Sequence, residues 1–331
     1  MRKQIFTLFV ALVATVAAQA QMISAVAPNG ATTLYQTLPE AIKGAAPGSV
    51  LYLPGGGFAI PDSVTIKKKL TIMGIGHKSQ NDNADGMTTI VGGLRFNVGS
   101  DGSAVMGCYI NDQVYIGSDG QVNDVLVKRC NLLSVDVNNA ACTGTVISQN
   151  YIRDDIFLSM SEATITNNII RGGYGGYYNE NGCVHQMSSG VIKNNIFANL
   201  GDRRPAFYKI TTATITGNIF LSSTHTNGCG TLYTSGNACL NAEWGDDPVK
   251  IEAENWEAVF KNYNGGAVSS LSDFHFKEAF KQYESQVAIY AGAGFDDSQL
   301  APTPRIVSKR IPDQTNVAGK LVINVRVKAS E

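Results

Sequence analysis

Two arginines, Arg153 and Arg171, follow two copies of one short motif, ISQNYI and ITNNII. If the copies stack in register, their guanidinium groups stand about 5 Å apart. Cations that close repel unless an anion lies between them, and an acidic polymer would supply one. The acids of Asp154-Asp155 would neutralise them equally well within a salt-bridged surface stack. A second cationic pair, Arg203-Arg204, sits in GDRRPAFYK, where Asp202 could brace a turn. Tyr174, Tyr177 and Tyr178 stand among the glycines of RGGYGGYYNENG. Rings presented on such a loop suit stacking against sugar faces, or fold down as a local apolar lid. His185 reads as a satisfied structural histidine, and Asp246-Asp247 beside Trp244 as a solvated loop. Asp154 and Asp155 are the nearest carboxylates for a hard cation such as Ca²⁺.

The elements that must position these residues come from a repeat. VMGCYI (105–110), VKRCNL (127–132), ISQNYI (147–152), ITNNII (165–170), IKNNIF (192–197) and ITGNIF (215–220) place an aliphatic residue at positions one and six. The fourth position holds Cys108, Cys130, Asn150, Asn168, Asn195 and Asn218. A β-rich hexamer recurring at roughly 20 residues marks a solenoid of short stacked strands, whose period an amphipathic helix does not satisfy. Coils at about 4.8 Å place equivalent side chains over one another. Asn150, Asn168, Asn195 and Asn218 are then expected to pass amide hydrogen bonds from coil to coil, each contributing about 1 kcal/mol. Small thiols fill the same slot at Cys108 and Cys130, where they could also bond if their Cβ atoms approach to about 4.5 Å.

Composition bounds the class. The 331 residues carry 16% charged side chains, 34 glycines and a net charge of −1. This suits a long β structure with many tight turns and gives no cationic surface for nucleic acid. Arg2 and Lys3, an apolar run from Ile5 to Ala18 and the close Ala18-Gln19-Ala20 have the form of a cleavable signal peptide over 1–20. No later apolar run is long enough to cross a bilayer. The expected location is therefore periplasm, cell surface or medium, and the expected state a monomer. In that compartment the six cysteines can oxidise. Cys229 and Cys239, flanking a Gly-, Ser- and Asn-rich interval, are the best disulfide candidate.

Residues 21–300 are expected to form the solenoid and its cap, and 301–331 a C-terminal strand or tail near its end. In TTLYQTLPEAIKGAA (32–46), Leu34, Leu38, Ala41 and Ile42 share a helical face, with Thr32 or Thr33 as cap. Such a helix would cover the open first coil. LTIMGIG (70–76) reads as the first full coil, with Gly74 aligned to Gly107. Insertions at 171–187 and 199–209, and a loop at 224–247, lie on neighbouring coils and could wall a cleft. SDFHFK (272–277) and QVAIYAGAGF (286–295) read as a last irregular coil.

The opening TLYQTLPEAIKGAAPGSVLYLPGG, the LTIMGIG segment and the NNI/NNIF repeats resemble the right-handed parallel β-helix superfamily, the pectin-lyase-like fold, over residues 30–295. The resemblance implies an all-β, right-handed parallel β-helix with an N-terminal capping helix. GDRRPAFYKITTATITGNIF (201–220) is similar to the Arg-x-Pro-x-x-Arg segment of pectate lyases. That implies Arg203 as catalytic base. The family's second Arg, which binds the substrate carboxylate, maps to Tyr208, so Lys209 or Arg171 would have to replace it. Together with Arg153, Arg204, Tyr177 and Tyr178 these residues make the expected acidic-polysaccharide site. Calcium is the cofactor implied, although the family's aspartate-rich motif is missing. The hydrolase branch is similar only through Asp154-Asp155, because its Asn-Thr-Asp and Gly-His-Gly motifs are absent. β-Elimination requires a neutralised carboxylate, a base for the adjacent proton and a proton for the leaving oxygen. A guanidinium serves as base only where neighbouring cations disfavour its charged form. The expected function is engagement of an acidic polysaccharide with such an elimination; the alternative is a non-catalytic adhesive or glycan-binding module.

Overall fold

A computed structural model describes residues 22–62, 64–78, 86–172, 182–198, 205–222, 226–265, 268–269, 272–292, 294–295, 305–310, 314–315 and 318–328. The expected signal peptide therefore lies outside the described residues.

The protein is all-β, and its long sheets are built of parallel strands. Among the described residues one sheet has 16 strands and another 10. Each hexamer supplies the end of one strand on the 16-stranded sheet and the start of one on the 10-stranded sheet. Val127, for instance, pairs with Val105 on one side and Ile147 on the other, and Ile152 pairs with Leu132 and Ile170. The chain visits three strips in a fixed order, each time pairing with the repeat before and the repeat after. This arrangement is compatible with a β-helix-like solenoid. The stacked strands bring aliphatic side chains inward, among them Ile72, Val105, Val127, Ile147, Ile165, Ile192 and Ile215, all fully buried. At about 25 cal/mol per Å² of apolar surface, this continuous core is the main stabilising term.

The turn between the first two strips explains the Asn-Asn pairs. Arg129, Gln149, Asn167, Asn194 and Gly217 occupy the left-handed region, with φ between 51° and 65°. Asn tolerates that conformation better than most residues. The next residue points inward and forms a ladder. The Nδ2 of Asn150 donates to Asn168 Oδ1, that of Asn168 to Asn195 and that of Asn195 to Asn218, each at 3.0 Å. Asn237 extends it by one rung, also at 3.0 Å. Each Oδ1 also accepts the backbone N–H of the preceding rung, at 2.9–3.1 Å. Cys108 and Cys130 hold the slot before Asn150, and their thiols donate to the Met106 and Lys128 carbonyls.

No disulfide forms; all six cysteines carry thiols. The expected Cys229–Cys239 pairing is not formed. Cys239 pairs with Phe220 in the 10-stranded sheet. Cys229 precedes the strand Thr231–Ser235 on the other, and its thiol donates to the Phe207 carbonyl at 3.5 Å.

At the N-terminus the helix spans Leu38–Gly44, shorter than the sequence pattern implies. Thr32–Tyr35 is instead a strand antiparallel to Ile23–Val26, which leaves Leu34 exposed. Thr37, not Thr32 or Thr33, caps the helix through a capping box with Glu40. Leu38, Ala41 and Ile42 join the core at the first repeat.

The C-terminal region is not a further coil. Phe260–Asn262 and Asp273–Phe276 pair antiparallel, and Trp256, Phe260, Phe274, Phe276, Val287 and Ile289 pack on the outer face of the 10-stranded sheet. That face offers Tyr151, Ile169, Ile196, Ile219 and Ala238, which are apolar because both faces of these strands are covered. The turn residues fasten the cover: Gln149 donates to the Gly294 carbonyl, and Asn167 to those of Ile289 and Ala291. Farther on, Arg305–Arg310 and Asn324–Lys328 pair antiparallel, and among the described residues they form a two-stranded sheet of their own. Among the described residues, no helix is long and apolar enough to cross a membrane.

Candidate functional site

The third strip consists of Leu94–Phe96, Val114–Ile116, Val135–Val137, the first residues of Ile156–Thr166 and Val184–Lys193, and Phe207–Tyr208. In the triplets 94–96, 114–116, 135–137 and 156–158 both flanking apolar side chains are buried in the core, as are Val184 and Phe207, so the residue between or beside them lies on the other face of its strand. Register then fixes an outer row: Arg95 beside Tyr115, Tyr115 beside Asp136, Asp136 beside Phe157, Phe157 beside His185, His185 beside Tyr208. A cation, a phenol, a carboxyl, an apolar ring, an imidazole and a second phenol thus follow one another at strand spacing.

Their contacts are specific. The Arg95 guanidinium lies 4.0 Å above the Tyr115 ring centroid. The Ser134 hydroxyl donates to Asp136 Oδ1 at 2.7 Å. Burial pushes the Asp136 carboxyl up to about 6; the charges of Asp155 and Asp154 add to this, against the Ser134 hydrogen bond and His185. His185 Nε2 lies 3.1 Å from Asp155 Oδ2, and its ring sits 5.0 Å from that of Phe157. His185 is only 7% exposed, and its Nδ1 has no hydrogen-bond partner. The Lys209 ammonium stands 4.9 Å from the Tyr208 ring centroid. Such a row offers an extended polar chain a cation, aromatic rings and a carboxyl in succession.

Of the residues expected at the site, Tyr208 and Lys209 are on this strip, and Asp155 reaches it through His185. Tyr177, Tyr178, Arg203 and Arg204 lie outside the described residues. Arg153 and Arg171 do occupy equivalent slots, since their N–H groups donate to the Leu132 and Ile152 carbonyls. Their side chains serve another face, however. Arg153 donates to the Tyr109 hydroxyl at 2.9 Å and to the Ile110 and Asn111 carbonyls at 2.8 and 2.9 Å. Arg171 hydrogen-bonds the Tyr151 hydroxyl beneath the C-terminal cover. Arg153 thus braces neighbouring repeats through the Tyr109 hydroxyl and two carbonyls, and Arg171 turns to Tyr151.

Among the described residues, no three His, Cys, Asp or Glu side chains gather where an ion could sit, and Asp155 faces His185. His185, read as structural, is part of the row. Arg95, Tyr115, Asp136 and Phe157 lie outside the expected site but share a sequence signal: each is the middle of an apolar triplet, LRF, VYI, VDV and IFL, one repeat apart.

Comparison of the chain with protein-family models, with curated proteins and with solved structures gives no match.

Proposed function

We propose that this chain is an exported, right-handed parallel β-helix of the pectin-lyase-like type that engages an acidic polysaccharide along the outer row from Arg95 to Tyr208, and acts on it by β-elimination. The observation that carries this reading is the in-register succession of cation, aromatic ring, carboxyl and imidazole on one strip. Rings stack on sugar faces, and Arg95 and Lys209 meet carboxylates. The basic and apolar start of residues 1–20 has the form of an export signal, which supports a meeting with such polymers outside the cytoplasm.

The test is direct. Polygalacturonate, alginate and a neutral glucan are offered to the purified protein with Ca²⁺ and with a chelator. Binding is followed by affinity electrophoresis and elimination by the ultraviolet absorbance of unsaturated ends. Binding of an acidic polymer, weakened by Arg95→Ala and Tyr115→Ala, is expected. Equal affinity for the neutral glucan would sink the acidic-polymer reading, and binding without product would leave a glycan-binding module.

A further inference from the structure

Both tryptophans of the chain line one cavity. Its volume is about 470 Å³, within the range of about 300–1,000 Å³ usual for small-ligand sites. None of the residues of the outer row lines it. Phe220 and Leu240 come from neighbouring strands of the 10-stranded sheet, Ile219–Phe220 and Ala238–Leu240. Trp244 comes from the connection that follows them, and Trp256 from the helix Trp256–Val259 of the C-terminal cover. The cavity thus lies where the last repeats meet their cover.

Its rings are held in place. Trp244 meets Phe220 edge to face with centroids 5.1 Å apart, and Phe220 stacks on Phe197 at 5.2 Å. Trp256 stacks on Phe260 at 5.3 Å, with 11° between the ring planes. Walls set in advance lose little rotamer freedom when a ligand arrives.

The charge around the cavity has one sign. Glu243 is the one charged side chain among the described residues that line it, and it is exposed. The segment from Glu243 to Glu257, which joins the two indoles, carries six carboxylates and a single lysine. That Lys250 is itself paired with Glu252, at 3.1 Å. The faces of aromatic rings are negative as well. Such a site attracts a cation and repels a uronate, so it is no continuation of the polysaccharide row. A primary ammonium brings three N–H donors that must all find acceptors, against a lining that is chiefly Phe220, Leu221, Leu240 and the two indoles. A quaternary ammonium brings none; its methyl groups lie against rings while its charge meets the carboxylate.

We infer that this cavity binds a small organic cation of the quaternary-ammonium class, with Trp244, Trp256 and Phe220 as aromatic walls and Glu243 as counter-ion. The site is separate from the polysaccharide reading and does not rest on it. Because one indole belongs to the repeats and the other to the cover, the ligand joins the two, and mass action raises the unfolding temperature as it binds.

The chain has no third tryptophan, so the indole fluorescence of the full chain reports on this cavity alone. It is titrated with choline chloride, with dimethylbutanol (the uncharged carbon isostere of choline), with ethanolamine and with methyl glucoside. Sodium chloride at equal ionic strength is the blank. Choline is expected to change the emission saturably, with a Kd of about 1 mM or tighter. The isostere is expected to bind about tenfold more weakly or worse. Glu243→Gln, which keeps the shape and removes the charge, is expected to weaken choline about tenfold with an unchanged circular dichroism spectrum. Trp244→Phe is expected to weaken it about threefold or more, read through Trp256.

A response to choline no larger than that to sodium chloride would overturn the assignment. Equal affinity for the isostere would overturn it in favour of an apolar pocket. Tighter binding of methyl glucoside would overturn it in favour of a sugar subsite, and tighter binding of ethanolamine in favour of a hydrogen-bonding ammonium site. Should Trp244→Phe fail to fold, Glu243→Gln still decides: wild-type affinity in that variant would remove the counter-ion and the inference with it.

Discussion

The amide ladder can be broken at one rung with a calculable result. Asn168 is fully buried. Its Oδ1 accepts the Asn150 backbone N–H at 2.9 Å and the Asn150 Nδ2 at 3.0 Å. Its Nδ2 donates to the Ile147 carbonyl at 2.9 Å and to Asn195 Oδ1 at 3.0 Å. Asn168→Ala removes all four. The Asn150 N–H is left in the core with no side-chain acceptor, a cost of about 1–3 kcal/mol. The other three losses fall on groups of which two keep a second partner, Asn150 Nδ2 on the Val127 carbonyl and Asn195 Oδ1 on the Asn168 N–H. About 1 kcal/mol each is then reasonable, for a total of about 4–6 kcal/mol. Urea unfolding followed by far-ultraviolet circular dichroism measures it. Thr166→Ala is the control: it deletes one half-buried hydroxyl bond to Ser148 and is expected to cost about 1 kcal/mol or less. Because Asn168 and Asn195 share a bond, the double alanine variant is expected to lose about 1 kcal/mol less than the sum of the singles. A loss under about 1 kcal/mol for Asn168→Ala would refute the claim that the ladder holds the repeats together.

Asp136 gives a pH prediction. Its carboxyl is raised from 3.8 to about 6, so the stability it lends is full below 3.8 and is lost as pH rises through about 6. Asp136→Asn is therefore expected to gain on wild type by about 1–3 kcal/mol between pH 4 and pH 7 in thermal unfolding scans, and a flat difference would contradict the shift. Burial pushes Cys130 up to about 12 and Cys108 well above its usual range, so a thiol reagent on native protein is expected to modify Cys229 before either. Tyr151→Phe removes a buried bond to the Val268 carbonyl and is expected to cost about 1 kcal/mol and to raise amide exchange in the C-terminal cover. Deleting the chain from residue 255 onward uncovers Ile169, Ile196 and Ile219, and should show as dye binding and association in light scattering.

Much of the scaffold can be read from the chain because its constraints repeat. Inward aliphatics and the ladder Asn recur together, and each strand must present the same face to the same core. The αL turn before the ladder adds the first Asn of each NN pair. Three things were harder to read. The N-terminal segment 32–35 shows a helical apolar spacing but pairs as a strand, since tertiary pairing with Ile23–Val26 outweighs a short periodicity. The apolar residue after each ladder Asn was an unused clue: Ile169, Ile196 and Ile219 face outward, and an outward isoleucine in three successive repeats calls for a cover. The cover itself has no repeat, because it matches an existing surface instead of extending the stack. As for the site, an arginine in a repeated slot draws the eye, yet position alone does not say which face it serves. Arg153 and Arg171 are in register, yet both turn to tyrosines of the 10-stranded sheet and away from the third strip.

The placement of the chemistry follows from where the fold leaves freedom. Inward positions and ladder positions are fixed by packing, so they hold Val, Ile or Asn in repeat after repeat. The outward residue of each triplet on the third strip carries no such demand, and there the sequence changes at every step: Arg95, Tyr115, Asp136, Phe157, His185, Tyr208. The repeats also differ in length. Asn150 and Asn168 are 18 residues apart, Asn168 and Asn195 are 27. The extra residues enter just before the strand that carries His185. That strand is held on both sides, by Phe157 and by Tyr208, so an insertion ahead of it does not move the imidazole. Long surface insertions cost little in closure entropy once their ends are held by register. A row of unconstrained outward side chains beside insertion points that the register tolerates is where a β stack of this kind can acquire a reaction without losing its fold.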